Sequence, residues 1–360
     1  MPIVADTIAD TYDLLIGVDT HAASHTFALI NAATGALADT QDFPTSPAGL
    51  RRALAWIGRR TENQTVLVVI DGTGSYGAVL TEQLSTAGFL IAEAPDIPAH
   101  VRRAAGKTDT LDAVEIARAA RGLTPQQLRR PRHAGDRTIL RVLTSARDQM
   151  TGERTRTVNA LTALLRTVEL GIDARRALSA TTIATIAAWR TPPSATTQAV
   201  CRAEAIRLAR RIRALDTDLA ANHAALSSAV AAQAPTLLDL RGVGPVVAAI
   251  VLHAWSHPGR IHSEAAFAAL GGVSPLPASS GNTHRHRLNR GGDRRLNRAI
   301  YTVTLTRLGH DPRTREYFAR RTAEGRTRRE IIRSLKRYIS RELFRTLTAA
   351  HRQPTPLDRS

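Results

Sequence analysis

Four aspartates have the residue type and spacing to do chemistry. Asp19 closes the apolar run LLIGVD (14–19), and Asp71 closes TVLVVID (65–71). Continuous apolar runs of this length read as buried strands, and acids at their carboxyl ends share a cleft in an open sheet. Asp109 and Asp112 stand three apart in KTDTLDAVEIARAA, on one side of a helix. Taken singly, Asp109 reads as a helix cap and Asp112 as a charge that favours the N-terminal dipole. Taken in order, two strand ends and a helical pair bring four carboxylates together. Such a group repels itself in water, and a divalent cation relieves the repulsion. Oxygen donors suit hard Mg²⁺ or Mn²⁺; the chain has one thiol, Cys201, and its histidines are scattered.

The elements that position these acids follow from periodicity. HTFALIN (25–31) and GALADTQDF (35–43) follow the first strand after short turns. Leu50, Leu54 and Ile57 mark a helix over 46–59, residues 74–88 form a helix closed by Gly88, and FLIAEA (89–94) is a further strand. Hairpins followed by strand–helix alternation predict a mixed sheet in an α/β domain over 12–125. Residues 135–233 show no strand. Two long amphipathic patterns, 137–168 and 195–233, are separated by Pro192-Pro193, which forbid one continuous helix. They predict an antiparallel or intermolecular coiled coil, a surface for dimers or tetramers, with Cys201 as a packing residue. Residues 234–350 form a mostly helical third domain. In it, 237–252 reads as helix, Gly242-Val243-Gly244 turn and helix, residues 270–297 as a Gly/Ser/Asn/Arg loop, and 300–308 and 328–347 as helices; the tail after 351 frays.

Charge narrows the function classes. The 360 residues carry a net charge of +18, and 43% are hydrophobic, which suits two or three folded domains rather than a disordered chain. No apolar run approaches the ~18 residues that span a bilayer, and the acidic MPIVADTIAD start is not a signal peptide. One cysteine excludes an intramolecular disulfide framework, so a cytoplasmic, nucleoid-associated protein without a membrane partner is expected. Residues 1–100 hold four Arg, no Lys and eleven acids, whereas 101–360 hold 45 basic and 20 acidic residues. An acidic head on a strongly basic body is the pattern of a catalytic or metal-binding centre attached to a polyanion-binding surface. The Gly242–Gly244 turn before Pro245 reads either as a backbone phosphate nest or as a plain interhelical turn.

GVDTH (17–21), VVIDGTGSYG (68–77), GKTDTLDAVEIA (106–117), LRGVGP and SSGNTHRHRLNRGGDRRLNRAIY together resemble the insertion sequence 110 family of transposases, in the family's order, from about residue 14 to 347. The resemblance implies a RuvC/RNase H-like head of the DEDD type, a helical middle and a C-terminal transposase domain with a catalytic serine. It places the metal-binding acids on Asp19, Asp71, Asp109 and Asp112, with Asp71 where the family usually has Glu. It raises Ser280, with Ser279 as second choice, as the nucleophile. Lys107 of the same motif and Arg285, Arg287, Arg290, Arg294, Arg295 and Arg298 would then meet phosphates. His284 and His286 are too few for a closed zinc site. Implied partners are element-end and target DNA, a structured noncoding guide RNA and further copies of the chain. Two readings compete: a junction-resolving nuclease that uses the four acids and water, and a basic DNA-binding protein without catalysis.

Overall fold

The computed structural model describes residues 6–95, 108–131, 136–190, 196–257, 260–277, 286–287, 289 and 291–350. It divides into two compact units, Met1–Arg137 and Thr138–Ser360.

The first unit runs α1 (Ile8–Thr11), β1 (Leu14–Thr20), β2 (Ser24–Asn31), β3 (Leu37–Pro44), α2 (Pro47–Arg60), β4 (Val66–Ile70), α3 (Ala78–Thr86), β5 (Leu90–Glu93) and α4 (Asp109–Arg121). The five strands lie in the order β3-β2-β1-β4-β5. Short turns after β1 and β2 can only reverse the chain, so β1, β2 and β3 pair antiparallel. The crossover through α2 brings β4 back parallel to β1, and α3 does the same for β5. The result is the expected mixed sheet.

Side chains alternate across the sheet with period two. Leu14, Ile16 and Val18 join Phe27, Phe43, Val68 and Ile70 under α2 and α3. Phe27, Phe43 and Trp56 meet edge-on with centroids 5.4, 6.0 and 6.1 Å apart, each pair adding about 0.5–1.5 kcal/mol beyond its buried area. On the opposite face, Leu15, Ile30, Leu67 and Val69 pack against Ile116, Ala117 and Ala120 of α4. Asp19 and Asp71 continue the odd-numbered rows, toward the face that α4 covers.

The second unit contains α5 (Asp136–Thr167, which begins at the boundary), α6 (Ala180–Ala187), α7 (Thr197–Gln233), a 3₁₀ turn (Pro235–Leu237), α8 (Pro245–Trp255), α9 (Glu264–Leu270), the short pair β6 (Leu276–Pro277) and β7 (His286–Arg287), α10 (Arg294–His310), α11 (Pro312–Ala323) and α12 (Arg328–Ala350). Helices α5 and α7, of 32 and 37 residues, run antiparallel within the chain. The buried Asn222 donates to the Leu143 carbonyl at 3.0 Å, Arg147 donates to the Leu219 carbonyl at 3.1 Å, and Arg211 pairs with Glu153 at 2.6 Å. Arg154 pairs with Asp216 in the same sense. A buried Asn holding a carbonyl on the facing helix is a register device.

Two separate cores stabilise this unit. Leu161, Leu165, Ile183, Ile186, Leu208 and Ile212 join α5, α6 and the first half of α7. Leu226, Val251, Trp255, Phe267, Ile300 and Leu343 gather the end of α7 with α8, α9, α10 and α12.

Three local expectations change. Residues 237–241, read as helix, are the end of a 3₁₀ turn and further turns, because Pro235 has no N–H to continue α7. The helix read from 300 starts at Arg294, because the Asp293 side chain accepts from the Arg295 and Leu296 amides. The connection between the long helices contains α6, a helix capped by Ser179.

Candidate active site

The parallel pairing of β1 with β4, Val18 opposite Ile70, sets Asp19 and Asp71 at neighbouring strand ends. The Asp71 amide donates to the Val18 carbonyl at 3.0 Å, and Thr20 Oγ1 donates to the Asp71 carbonyl at 2.8 Å. Position 71 is therefore fixed to β1 through its backbone, and its side chain stays exposed.

Helix α4 brings the other two acids. Thr108 caps it, accepting from the Leu111 amide at 3.2 Å. Asp109 is thus not the cap that its position alone suggests, and both Asp109 and Asp112 are left in the first turn, where the helix dipole favours negative charge. At the other end, Arg121 donates to the Ala32 and Ala33 carbonyls at 2.7 and 2.5 Å, and Arg118 to the Gly35 carbonyl at 3.3 Å. Gly17 sets how closely the helix lies on the sheet. A Cβ there would fall 2.0 Å from the Ala113 carbonyl oxygen and 2.8 Å from the Ala117 nitrogen, a distance no side chain tolerates. The absence of a side chain at 17 lets α4 settle onto β1 and carries Asp109 and Asp112 toward Asp19, two residues further along the same strand face.

Ligand atoms of Asp19, His21 and Asp109 all lie within 4.8 Å of one another, the spacing of a cluster able to hold a metal ion. Asp19 is buried, 8% exposed, while His21 and Asp109 are exposed. Burial pushes the Asp19 carboxyl above the usual carboxylate range; the nearby His21 pulls it down, and Asp112, Asp109 and Asp71 push it up further. Asp71 and Asp112 lie outside this tight group, and their charges reach Asp19 only at longer range. A buried carboxylate with a second carboxylate and an imidazole close beside it offers oxygen and nitrogen donors that fit a divalent cation such as Mg²⁺ or Mn²⁺. His21, with Nδ1 3.6 Å from Asp19 Oδ2, was not among the expected site residues. The signal was available: residues two apart at a strand end share a face.

In the second unit, the Gly242–Gly244 turn precedes α8. Gly242 has φ +78°, Gly244 is the N-cap and Pro245 opens the helix. Arg295 and Arg298 both pair with Asp148 of α5 at 2.8 Å, and Arg294 is exposed. Lys107, Ser279, Ser280, Arg285 and Arg290 lie outside the described residues, as does the side chain of Arg287.

An RNase H-like sheet with acids gathered at its central strand ends and on a helix laid across them defines the class: a nucleic-acid-processing head of the DEDD type, followed by a mostly helical region. Residues 16–169 match a transposase family model for the DEDD type of IS110, and residues 234–319 match the transposase IS116/IS110/IS902 family. The chain is 28% identical to the insertion element IS900 uncharacterized 42 kDa protein of Mycobacterium paratuberculosis, over 89% of this chain and 92% of that one. It is 27% identical to the insertion element IS110 uncharacterized 43.6 kDa protein of Streptomyces coelicolor, over 79% and 82%. The chain belongs to the IS110 family of insertion-element transposases, enzymes that cleave and rejoin DNA. Among the described residues no helix is long and apolar enough to cross a membrane.

Proposed function

We propose that this transposase cuts and rejoins DNA with Ser280 as nucleophile and with Asp19, Asp71, Asp109 and Asp112 as one carboxylate centre for Mg²⁺ or Mn²⁺. The observation that carries the reading is the grouping of Asp19, His21 and Asp109 ligand atoms within 4.8 Å of one another, made possible by the close seat of α4 at Gly17, with Asp71 at the neighbouring strand end. When bound, the divalent ion supplies a Lewis acid for phosphate oxygens and lowers the pKa of a coordinated hydroxyl. The protein's own part is to hold four carboxylates against their mutual repulsion. His21 offers a neutral nitrogen ligand or, protonated, a counter-charge to Asp19.

In the proposed reaction the serine hydroxyl attacks phosphorus and the 3′ or 5′ oxygen of the strand leaves, so the phosphodiester energy is kept in a protein–DNA ester for rejoining. Arginines of the 285–298 segment offset charge on the phosphate. Ser279 is the second choice. Specificity is assigned to a structured RNA mainly because the family resemblance implies one. The absence of a clear helix-turn-helix, zinc finger or basic zipper in the sequence, and its 4% aromatic content, are consistent with recognition through shape and phosphates. Three functional parts are proposed, 12–125, 135–233 and 234–350. The second unit holds two separate cores, and the one that gathers the C-terminal helices also takes in Leu140, Leu226 and Val230 of the middle part. Further copies of the chain are proposed as partners because two DNA ends must be brought together; the long helices α5 and α7 pair with each other within the chain.

The test incubates full-length protein with element-end DNA, target DNA and the element's flanking transcript, then traps adducts and sequences junctions. A covalent adduct at Ser280 and RNA-dependent junctions are expected. Free ends derived from water would instead establish the junction-resolving nuclease.

A further inference from the structure

The chain has only two lysines, and one of them, Lys336 of α12, is half-buried in the basic second unit. Lysine is seldom buried without a partner acid. Among the described residues no carboxylate pairs with Lys336; its Nζ donates to Asn297 Oδ1 at 2.7 Å and lies 5.8 Å from the centre of the Tyr301 ring. The Asn297 side chain in turn donates to the Gly271 carbonyl at 2.6 Å, so its oxygen is turned toward the ammonium by a fixed amide. Burial pulls the Lys336 pKa below the usual lysine range with no neighbouring charge to restore it.

Lys336 lines an open surface pocket of about 370 Å³ together with Asn289, Asn297, Tyr301, Arg294 and Arg298. The Gly291-Gly292 turn also lines it. Gly292 has φ +95°, and a Cβ there would lie 2.4 Å from the Leu270 carbonyl, so the turn is pressed against the end of α9 in a conformation that glycine alone adopts freely. Asp293, the acid of the lining, is committed to its own helix, accepting from the Arg295 and Leu296 amides at 2.7 and 3.0 Å. Arg298 shares Asp148 with Arg295, leaving one carboxylate for two guanidiniums. Three cationic residues, the amides Asn289 and Asn297 and one half-exposed ring thus line a space whose single acid caps its own helix.

We propose that this pocket binds a phosphodiester of the DNA strand, with the Lys336 ammonium and the Arg294 and Arg298 guanidiniums taking its oxygens and the Tyr301 ring flanking the adjoining nucleotide. The proposal uses the family's action on DNA and is independent of which serine, if any, attacks. A compact ammonium held by Asn297 recognises a phosphate as a point charge, without reading sequence.

Two lysines make the test clean. The full-length protein is labelled by reductive methylation with and without a saturating DNA duplex of arbitrary sequence, and the Lys336 peptide is quantified by mass spectrometry. DNA is expected to protect Lys336 by at least about fivefold. In parallel, Lys336→Gln is expected to weaken duplex binding roughly tenfold and to reduce the slope of log affinity against log salt by about 0.9, with Lys336→Arg restoring the slope. Unchanged labelling in the presence of DNA overturns the proposal. So does a Lys336→Gln protein that melts earlier but keeps the wild-type salt slope, which would make the lysine a packing residue. Protection by RNA but not by DNA also overturns it. Absence of a covalent adduct at Ser280, with Lys336 still protected by DNA and the salt slope still reduced in Lys336→Gln, bears on the serine reading alone.

Discussion

The two units handle unbalanced charge in opposite ways. In the first, Asp19 is buried and feels the charge of three further carboxylates with one histidine beside it, and it is correspondingly reluctant to ionise. In the second, acids are outnumbered: Glu264 alone meets Arg337, Arg341 and Arg345, and Asp148 meets Arg295 and Arg298. Each unit keeps charge that its own side chains do not cancel. The negative excess is concentrated, partly buried and built on a rigid sheet, the form suited to a small cation at one point. The positive excess is spread over helices and mostly exposed, the form suited to a long polyanion. Chemistry and affinity are therefore expected to separate on mutation.

The largest separation should come from the acids themselves. Asp19→Ala or Asp109→Ala is expected to lower strand cleavage by at least about a thousandfold, with duplex binding nearly unchanged in a gel-shift titration. Parallel loss of binding would break the contrast between the units. Gly17→Ala comes next. The added methyl must push α4 off β1, which should cost about 1–3 kcal/mol in denaturant unfolding and remove most cleavage, although residue 17 carries no functional group.

A subtler effect concerns stability. Asp19 has a raised pKa in the fold, so in the unfolded chain it ionises first as pH rises, and above that range the native state bears the cost of its charge. Asp19→Asn should therefore melt at a higher temperature than wild type at pH 7 in chelator. The gain should shrink to nothing as pH falls through the ordinary carboxylate value of 3.8, where both states are protonated. A variant that is inactive yet more stable marks a residue kept for chemistry rather than for folding. The smallest effect belongs to the basic unit. Asp148→Ala frees two arginines, and since exposed ion pairs contribute about 0–1 kcal/mol, stability should barely change while duplex affinity rises a few-fold at low salt.

Much of this was legible in the sequence, and the exceptions are instructive. The strand ending at Asp19 and the long helices were readable because their apolar residues recur with the element's own period. Helix α11, PRTREYFARRTA, was not, because it buries only Thr314 and so has no apolar stripe; its one signal is Asp311-Pro312, a cap followed by proline at the first turn. Asp109 looked like a cap because the threonine before it serves equally well, and only the backbone decides between them. Gly17 could not be read at all. That a helix carbonyl would lie 2.0 Å from its missing Cβ is a tertiary fact, invisible to periodicity. His21 was visible within GVDTH but has meaning only once Asp109 arrives from a helix some ninety positions away.

The central claim, that the acidic centre is a cation site on which cleavage depends, is most directly tested by calorimetric titration of Mn²⁺ into full-length wild-type protein and its Asp19→Asn/Asp109→Asn variant at neutral pH. Saturable binding in the wild type that disappears in the variant, while Lys336→Gln retains it, is the predicted result. Equal Mn²⁺ binding by wild type and the double variant would contradict the account.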